Sequence, residues 1–257
     1  MRKPMMAGNW KMNKNHPEAV ILTQHLSNRV KRAHLDKVDV VICPPFIDLK
    51  PALTVLDFDK THIAVGAQNC HWEPSGAFTG EVSVPMLSDL GVEYCIIGHS
   101  ERREYHAETD EVVAAKVQAA LTHGLVPVIC VGETAADLEE FGASAVPVGQ
   151  LRKALEGVSA DADIVVAYEP VWAIGSGQAA TPEQAQDVCA KLREVVAEAM
   201  GADAAARTRI LYGGSVKSSN IASFMREPDV DGALVGGASL VADEFAAIIR
   251  YQKHVGV

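Results

Sequence analysis

The chain has 257 residues, 48% hydrophobic and 22% charged, with a formal net charge of −10, so it can bury a sizeable core but lacks the basic footprint that nucleic acid or an anionic membrane surface requires. No window approaches the ~18 apolar residues of a membrane helix, and Met1-Arg2-Lys3-Pro4-Met5-Met6 opens no apolar stretch of signal-peptide length. A soluble cytoplasmic protein is expected, with one domain over 1–257.

Apolar runs recur every twenty to forty-odd residues: Met5-Met6-Ala7, Val38 to Ile42, Ile63-Ala64-Val65, Tyr94 to Ile97, Val126 to Val131, Ile164 to Tyr168, Arg209 to Tyr212 and Gly232 to Val235. Their β-branched content and lack of a polar face fit strands buried on both sides. Helical patterns lie between them. Ser83 opens one that closes at Leu90-Gly91, and Thr109-Asp110-Glu111 opens one that closes at His123-Gly124. Thr181-Pro182-Glu183-Gln184 supplies an N-cap hydroxyl, a first-turn proline and a capping-box amide for a helix running toward Met200-Gly201. The small-residue run 201–206 after it reads as a surface connection. Eight strand–helix alternations in this length favour an α/β fold of the closed (β/α)8 TIM-barrel type, with an open doubly wound sheet as the competing architecture.

The five cysteines, Cys43, Cys70, Cys95, Cys130 and Cys189, form no C-x-x-C pair and read as reduced core residues. His16, His25 and His34 recur every nine residues, which on a helix is about half a turn of rotation, so they do not converge on a metal. No metal is expected. Gly175-Ser176-Gly177-Gln178-Ala179-Ala180 fits a dinucleotide pattern, but it follows Glu-Pro-Val-Trp-Ala-Ile in the sixth unit rather than a strand end, and reads as a decoy.

In such a barrel the carboxyl ends of the strands share one face. Strand one ends in Gly8-Asn9-Trp10-Lys11, strand four in Gly98-His99-Ser100-Glu101, strand six in Glu169, strand seven in Gly213-Gly214-Ser215 and strand eight in Gly236-Gly237. Glu169 is expected where its strand meets solvent. A glutamate opposite a histidine, with a lysine nearby, suits proton abstraction beside a carbonyl, while glycine-rich strand ends offer backbone N–H groups to a phosphate. Each piece also has a bland reading: a solvated Lys11, a core His99, a turn at Gly236-Gly237, an ion-pair cluster at Glu101-Arg102-Arg103. Their coincidence with successive strand ends is what those readings leave unexplained.

The motifs Gly8-Asn9-Trp10-Lys11, Gly98-His99-Ser100-Glu101-Arg102-Arg103, Ala167-Tyr168-Glu169-Pro170-Val171-Trp172-Ala173-Ile174-Gly175, Tyr212-Gly213-Gly214-Ser215 and Gly236-Gly237-Ala238 together resemble the triosephosphate isomerase family over essentially the whole chain. The resemblance implies interconversion of dihydroxyacetone phosphate and D-glyceraldehyde 3-phosphate without a cofactor. It implies Glu169 as the proton carrier, neutral His99 as electrophile, and Lys11 and Asn9 as sources of positive potential and a hydrogen bond. In this family the environment tunes the pKa values of the glutamate and the histidine. Gly175, Ser215, Gly236 and Gly237 would hold the phosphate, with Glu101 orienting Lys11 and Ser100 beside it. Pro170, Val171, Trp172, Ala173, Ile174, Gly175, Ser176 and Gly177 would form a closing lid. The far hinge departs from the family, with Gln178-Ala179 where Lys-Thr is frequent and Ser176 where threonine is common.

The long stretch Gln68 to Gly80 has neither helical nor strand period and carries Trp72 and Phe78, which suggests an interface or a self-packed Ω-loop. The resemblance implies a homodimer in which this loop, with Thr79 near its tip, enters a pocket beside the partner's Asn9 and the partner's Lys11. Competing functions are another phosphate-gripping barrel, an epimerase or Schiff-base aldolase, and a non-enzymatic phosphometabolite-binding module. The aldolase needs a desolvated lysine inside the barrel, and strands two to eight offer none.

Overall fold

A computed structural model of the chain describes residues 2–173 and 180–253. Eight parallel strands close a barrel in chain order: β1 (Met5–Asn9), β2 (Asp39–Cys43), β3 (Ala64–Ala67), β4 (Tyr94–Ile97), β5 (Val126–Val131), β6 (Val165–Tyr168), β7 (Arg209–Tyr212) and β8 (Gly232–Val235). The barrel closes where Met5 to Gly8 pair with Gly232 to Val235, and no edge strand remains.

Side-chain alternation along the strands divides the core into two layers. Met5, Ala7, Val41, Cys43, Ile96, Val128, Cys130, Val165, Ala167, Leu211 and Leu234 form a compact cluster that fills the barrel. Their neighbours Met6, Val40, Ile42, Ile97, Ile129 and Val166 belong to a larger cluster shared with the surrounding helices. Both faces of each strand are therefore apolar, which is why the runs are legible without a polar period.

The helices are α1 (His16–Arg29), α2 (Arg32–Leu35), α3 (Leu49–Phe58), α4 (Val84–Leu90), α5 (Ser100–His106), α6 (Asp110–Thr122), α7 (Ala135–Phe141), α8 (Ala145–Ala154), α9 (Pro182–Met200), α10 (Ala202–Arg207), α11 (Ile221–Phe224) and α12 (Ala242–Ile249). Ser83 stands at the N-cap of α4 without a side-chain cap hydrogen bond, whereas the signals at Thr109 and Thr181 act as expected. Thr181 accepts from Gln184 N while the Gln184 side chain accepts from Thr181 N, and Gly91 closes α4 at φ +94°.

The run 201–206 is a correction. It contains most of α10, whose Ala204 and Ala205 are buried, rather than a surface connection. Alanine has the highest helix propensity, and its small side chain lets α10 lie close against α9. The five cysteines are free thiols and all are buried. Among the described residues no helix is long and apolar enough to cross a membrane, and no group of His, Cys, Asp or Glu is arranged to hold a metal ion.

Candidate active site

The strand ends converge on a cavity of about 720 Å³, lined among others by Asn9, Lys11, His99, Ser100, Glu101, Glu169, Ser215, Gly236 and Gly237. Each comes from a different position in the chain, and the barrel closure described above brings them together. Gly175, Ile174, Ser176 and Gly177 lie outside the described residues.

Glu169 follows β6 directly. Contrary to the expectation of a solvent-facing carboxylate, it is only 2% exposed, because β5 and β7 flank it and the loops after them fold over. Its N–H donates to Val131 O at 2.8 Å, which fixes the backbone. Gly213 makes room for the side chain: a Cβ there would lie 2.9 Å from Glu169 Cγ. One carboxylate oxygen lies 2.9 Å from His99 Nε2, and the other accepts the Ser100 N–H at 2.9 Å.

His99 is the N-cap of α5, 5% exposed, and its Nδ1 accepts the Glu101 N–H at 3.2 Å. It follows Gly98, whose φ of +72° and Cβ site 2.8 Å from Val113 Cγ2 no larger residue fits without strain. Burial pulls the His99 imidazole down, but the Glu169 carboxylate, aided by Glu101, more than reverses this and leaves it above its ordinary value. The backbone bond opposes a second proton, since protonated Nδ1 would face an N–H donor. While that bond stands, the ring carries its one proton on Nε2.

Burial alone would push the Glu169 carboxyl up; the contact with His99, the Ser100 N–H and the nearby Lys11 charge hold it below the usual carboxylate range. Glu169 is therefore an ionised carboxylate in a site that stabilises its charge.

Lys11 adopts φ +54°, a left-handed conformation that a residue with a Cβ takes only when its surroundings impose it. Its N–H donates to Asn9 Oδ1 at 3.0 Å and its carbonyl accepts from Gln68 Nε2 at 2.9 Å. Its Nζ pairs with Glu101 Oε1 at 2.5 Å, and its stem lies against Gly236. The ammonium is thereby held over the glycine-rich end of β8.

Glu133, just past β5, was not anticipated. It is fully buried; its Oε1 accepts Tyr168 Oη at 2.9 Å and Trp172 Nε1 at 2.7 Å, and its carbonyl accepts the Val171 N–H at 3.0 Å. Val171–Ala173 forms a single 3-10 turn, which Glu133 holds through its carbonyl at Val171 and its carboxylate at Trp172. Of Pro170, Val171, Trp172 and Ala173, Val171 reaches the main cavity. On the far side of the segment, Tyr212 Oη accepts the Ala180 N–H at 3.2 Å. Glu133 lies two residues past β5, whereas Glu169 follows β6 directly, and a carboxylate just beyond a strand end was the available signal.

In the stretch 68–80, the His71 ring stacks on Trp72 and packs on Phe78, each with centroids 4.2 Å apart. The loop is thus partly self-packed, yet Trp72 and Phe78 remain 39% and 43% exposed, and Thr79 is exposed. None of the three lines the main cavity.

A sequence profile described as triosephosphate isomerase matches residues 4–252. The chain belongs to the triosephosphate isomerase family. It is 60% identical over 256 residues to a triosephosphate isomerase of Leifsonia xyli, covering 99% of both chains. It is 52% identical over 253 residues to one from Caldanaerobacter subterraneus, covering 98% of this chain and all of that one, and 51% identical over 249 residues to one from Saccharopolyspora erythraea.

Proposed function

We propose that this chain is an isomerase that interconverts dihydroxyacetone phosphate and D-glyceraldehyde 3-phosphate in the cytoplasm, as a single domain over 1–257 that works as a homodimer. The observation that carries the chemistry is the Glu169–His99 contact inside a cavity with a lysine and a glycine-rich rim.

Substrate would displace Glu169 from His99 and from the Ser100 N–H. Free of those partners but still buried, the carboxylate loses what holds its pKa down and keeps the desolvation that raises it, so it becomes a stronger base as it meets the C–H. It takes the proton from one carbon and returns it to the next, while the hydroxyl proton passes from one enediolate oxygen to the other by way of His99 Nε2. The vacated His99 Nε2–H donates to the enediolate oxygen, with Lys11 and Asn9 adding positive potential and a further hydrogen bond. Without its carboxylate neighbour, burial keeps the imidazole neutral. Backbone groups at Ser215, Gly236 and Gly237, with Gly175 of the lid, would grip the phosphate. Glu101 would orient Lys11, and the segment from Pro170 to Gly177 would exclude water from an intermediate that otherwise eliminates phosphate.

A second cavity of about 370 Å³ reaches Asn9 and Lys11 past Met12, Phe46 and Tyr105. Met12 is 96% exposed and Tyr105 70%, which suits burial by the partner's loop 68–80. The mechanism is tested by running the isomerisation in D2O. Deuterium bound to carbon in the product supports proton transfer through an enediolate, whereas complete retention of the substrate hydrogen points to hydride transfer and overturns it.

A further inference from the structure

Six charged side chains line the main cavity: Lys11, Lys217, Glu101, Glu104, Glu169 and Glu244. Four carboxylates face two ammonium groups in a chain of net charge −10, which is a poor field for an arriving phosphate dianion. Lys11 is already paired with Glu101 at 2.5 Å. Glu244 accepts from Ser218 N at 2.7 Å and from Ser218 Oγ at 3.0 Å. Lys217 is exposed and, among the described residues, its ammonium is in no ion pair or hydrogen bond.

Its backbone, by contrast, is held firmly. The Lys217 N–H donates to Asn220 Oδ1 at 2.8 Å and its carbonyl accepts from the N–H groups of Asn220 and Ile221. Asn220 Nδ2 in turn donates to Ser215 O at 3.0 Å, so one turn fixes the spacing between Ser215 and Lys217. Glu244 clamps the same turn from α12 through Ser218. The result is a free cation on a rigid mount, two residues from the rim at Ser215.

We propose that Lys217 is a substrate-capture residue: an unpaired cation at the cavity mouth that draws in the phosphate dianion and raises kcat/KM without acting in the chemical step. The proposal rests on the isomerase reading above. Lys11 serves the bound state, and Lys217 serves the approach. An exposed charge acts over about one Debye length, ~30 Å at 0.01 M salt but only ~3 Å at 1 M, so its effect is strongest in dilute buffer.

The test compares wild type with Lys217→Gln, Lys217→Glu and Lys217→Arg, and with Lys153→Gln on the exposed face of α8 as an equal change in net charge far from the cavity. At about 0.01 M salt, Lys217→Gln should lower kcat/KM on the order of fivefold, Lys217→Glu further, with kcat changed less than about twofold; Lys217→Arg and Lys153→Gln should match wild type. The difference should shrink as salt rises. A Lys217→Gln value equal to Lys153→Gln, or a loss carried wholly by kcat, would overturn the proposal. Binding of inorganic phosphate, followed by calorimetry on the same proteins, separates this from the isomerase reading. An inactive wild type that still binds phosphate more tightly than Lys217→Gln sinks the isomerase reading and keeps the capture role. Equal phosphate affinity in the two sinks the capture role.

Discussion

Glu169 and His99, seventy residues apart in the chain, meet at 2.9 Å between Oε1 and Nε2 at the wall of the main cavity. The two groups proposed to act on the substrate therefore occupy one another in its absence. The Ser100 N–H holds the second carboxylate oxygen and fixes the direction in which Glu169 points. On the proposed mechanism this arrangement keeps the Glu169 carboxylate ionised before substrate arrives and frees both groups together when it does.

Glu169→Asp keeps the charge but retracts it by about one methylene, so the carboxylate no longer reaches the substrate carbon in a near-attack geometry. We predict a loss of kcat on the order of 10²-fold in a folded protein. Steady-state kinetics alongside circular dichroism checks this, and unchanged turnover would remove Glu169 from the role of base.

Glu133→Ala deletes the acceptor shared by Tyr168 and Trp172 and leaves both donors without a partner, each such loss costing about 1–3 kcal/mol. The first turn of the lid should loosen. We expect the fold to survive, kcat to fall on the order of tenfold, and inorganic phosphate to be released more often per turnover as the intermediate escapes. A phosphate assay run beside the isomerase assay measures the ratio; an unchanged ratio would disconnect Glu133 from the lid.

Lys116 is buried and its Nζ pairs with Glu108 Oε1 at 2.5 Å and Asn69 Oδ1 at 2.7 Å, while Arg102 also binds Glu108. Burial would push the Glu108 carboxyl up, but Lys116 and Arg102 bring it below its ordinary value. A depressed carboxyl pKa stabilises the fold at pH above the unfolded value and loses that contribution as pH falls through the folded one. Glu108→Gln should therefore cost about 3 kcal/mol at pH 7, with the difference from wild type shrinking as pH falls below ~4. Urea unfolding across this pH range checks both the size and the sign.

Trp72→Glu or Thr79→Arg should place a charge in the proposed interface, lowering activity and dimer mass together. Light scattering with activity measured on the same fractions decides, and a fully active monomer would refute the coupling between loop 68–80 and the neighbouring site.

The barrel was legible because the strands are largely apolar on both faces and helices such as α6 and α9 carry side-chain caps. Val38, Ile63 and Ile164 were read into strands that begin one residue later; all three are buried, but they precede the first ladder pairs. Glu169, His99, Lys11 and Asn9 were legible from their strand-end positions, though not the burial of Glu169 or the strained φ of Lys11. Glu133 and Tyr212 stayed hidden because their work lies in hydrogen bonds to Trp172 and Ala180, made across the barrel rather than along the chain. Lys217 is one lysine among many in the sequence, and only the structure shows it at a cavity with four carboxylates and, among the described residues, without an ion-pair partner.

The most direct measurement is conversion of D-glyceraldehyde 3-phosphate by the purified protein in buffer free of metals and cofactors, with Glu169→Gln prepared identically. Rapid conversion by wild type and its near-abolition in a folded Glu169→Gln is the predicted result. No conversion by a folded, dimeric wild type, or full conversion by Glu169→Gln, would contradict the account.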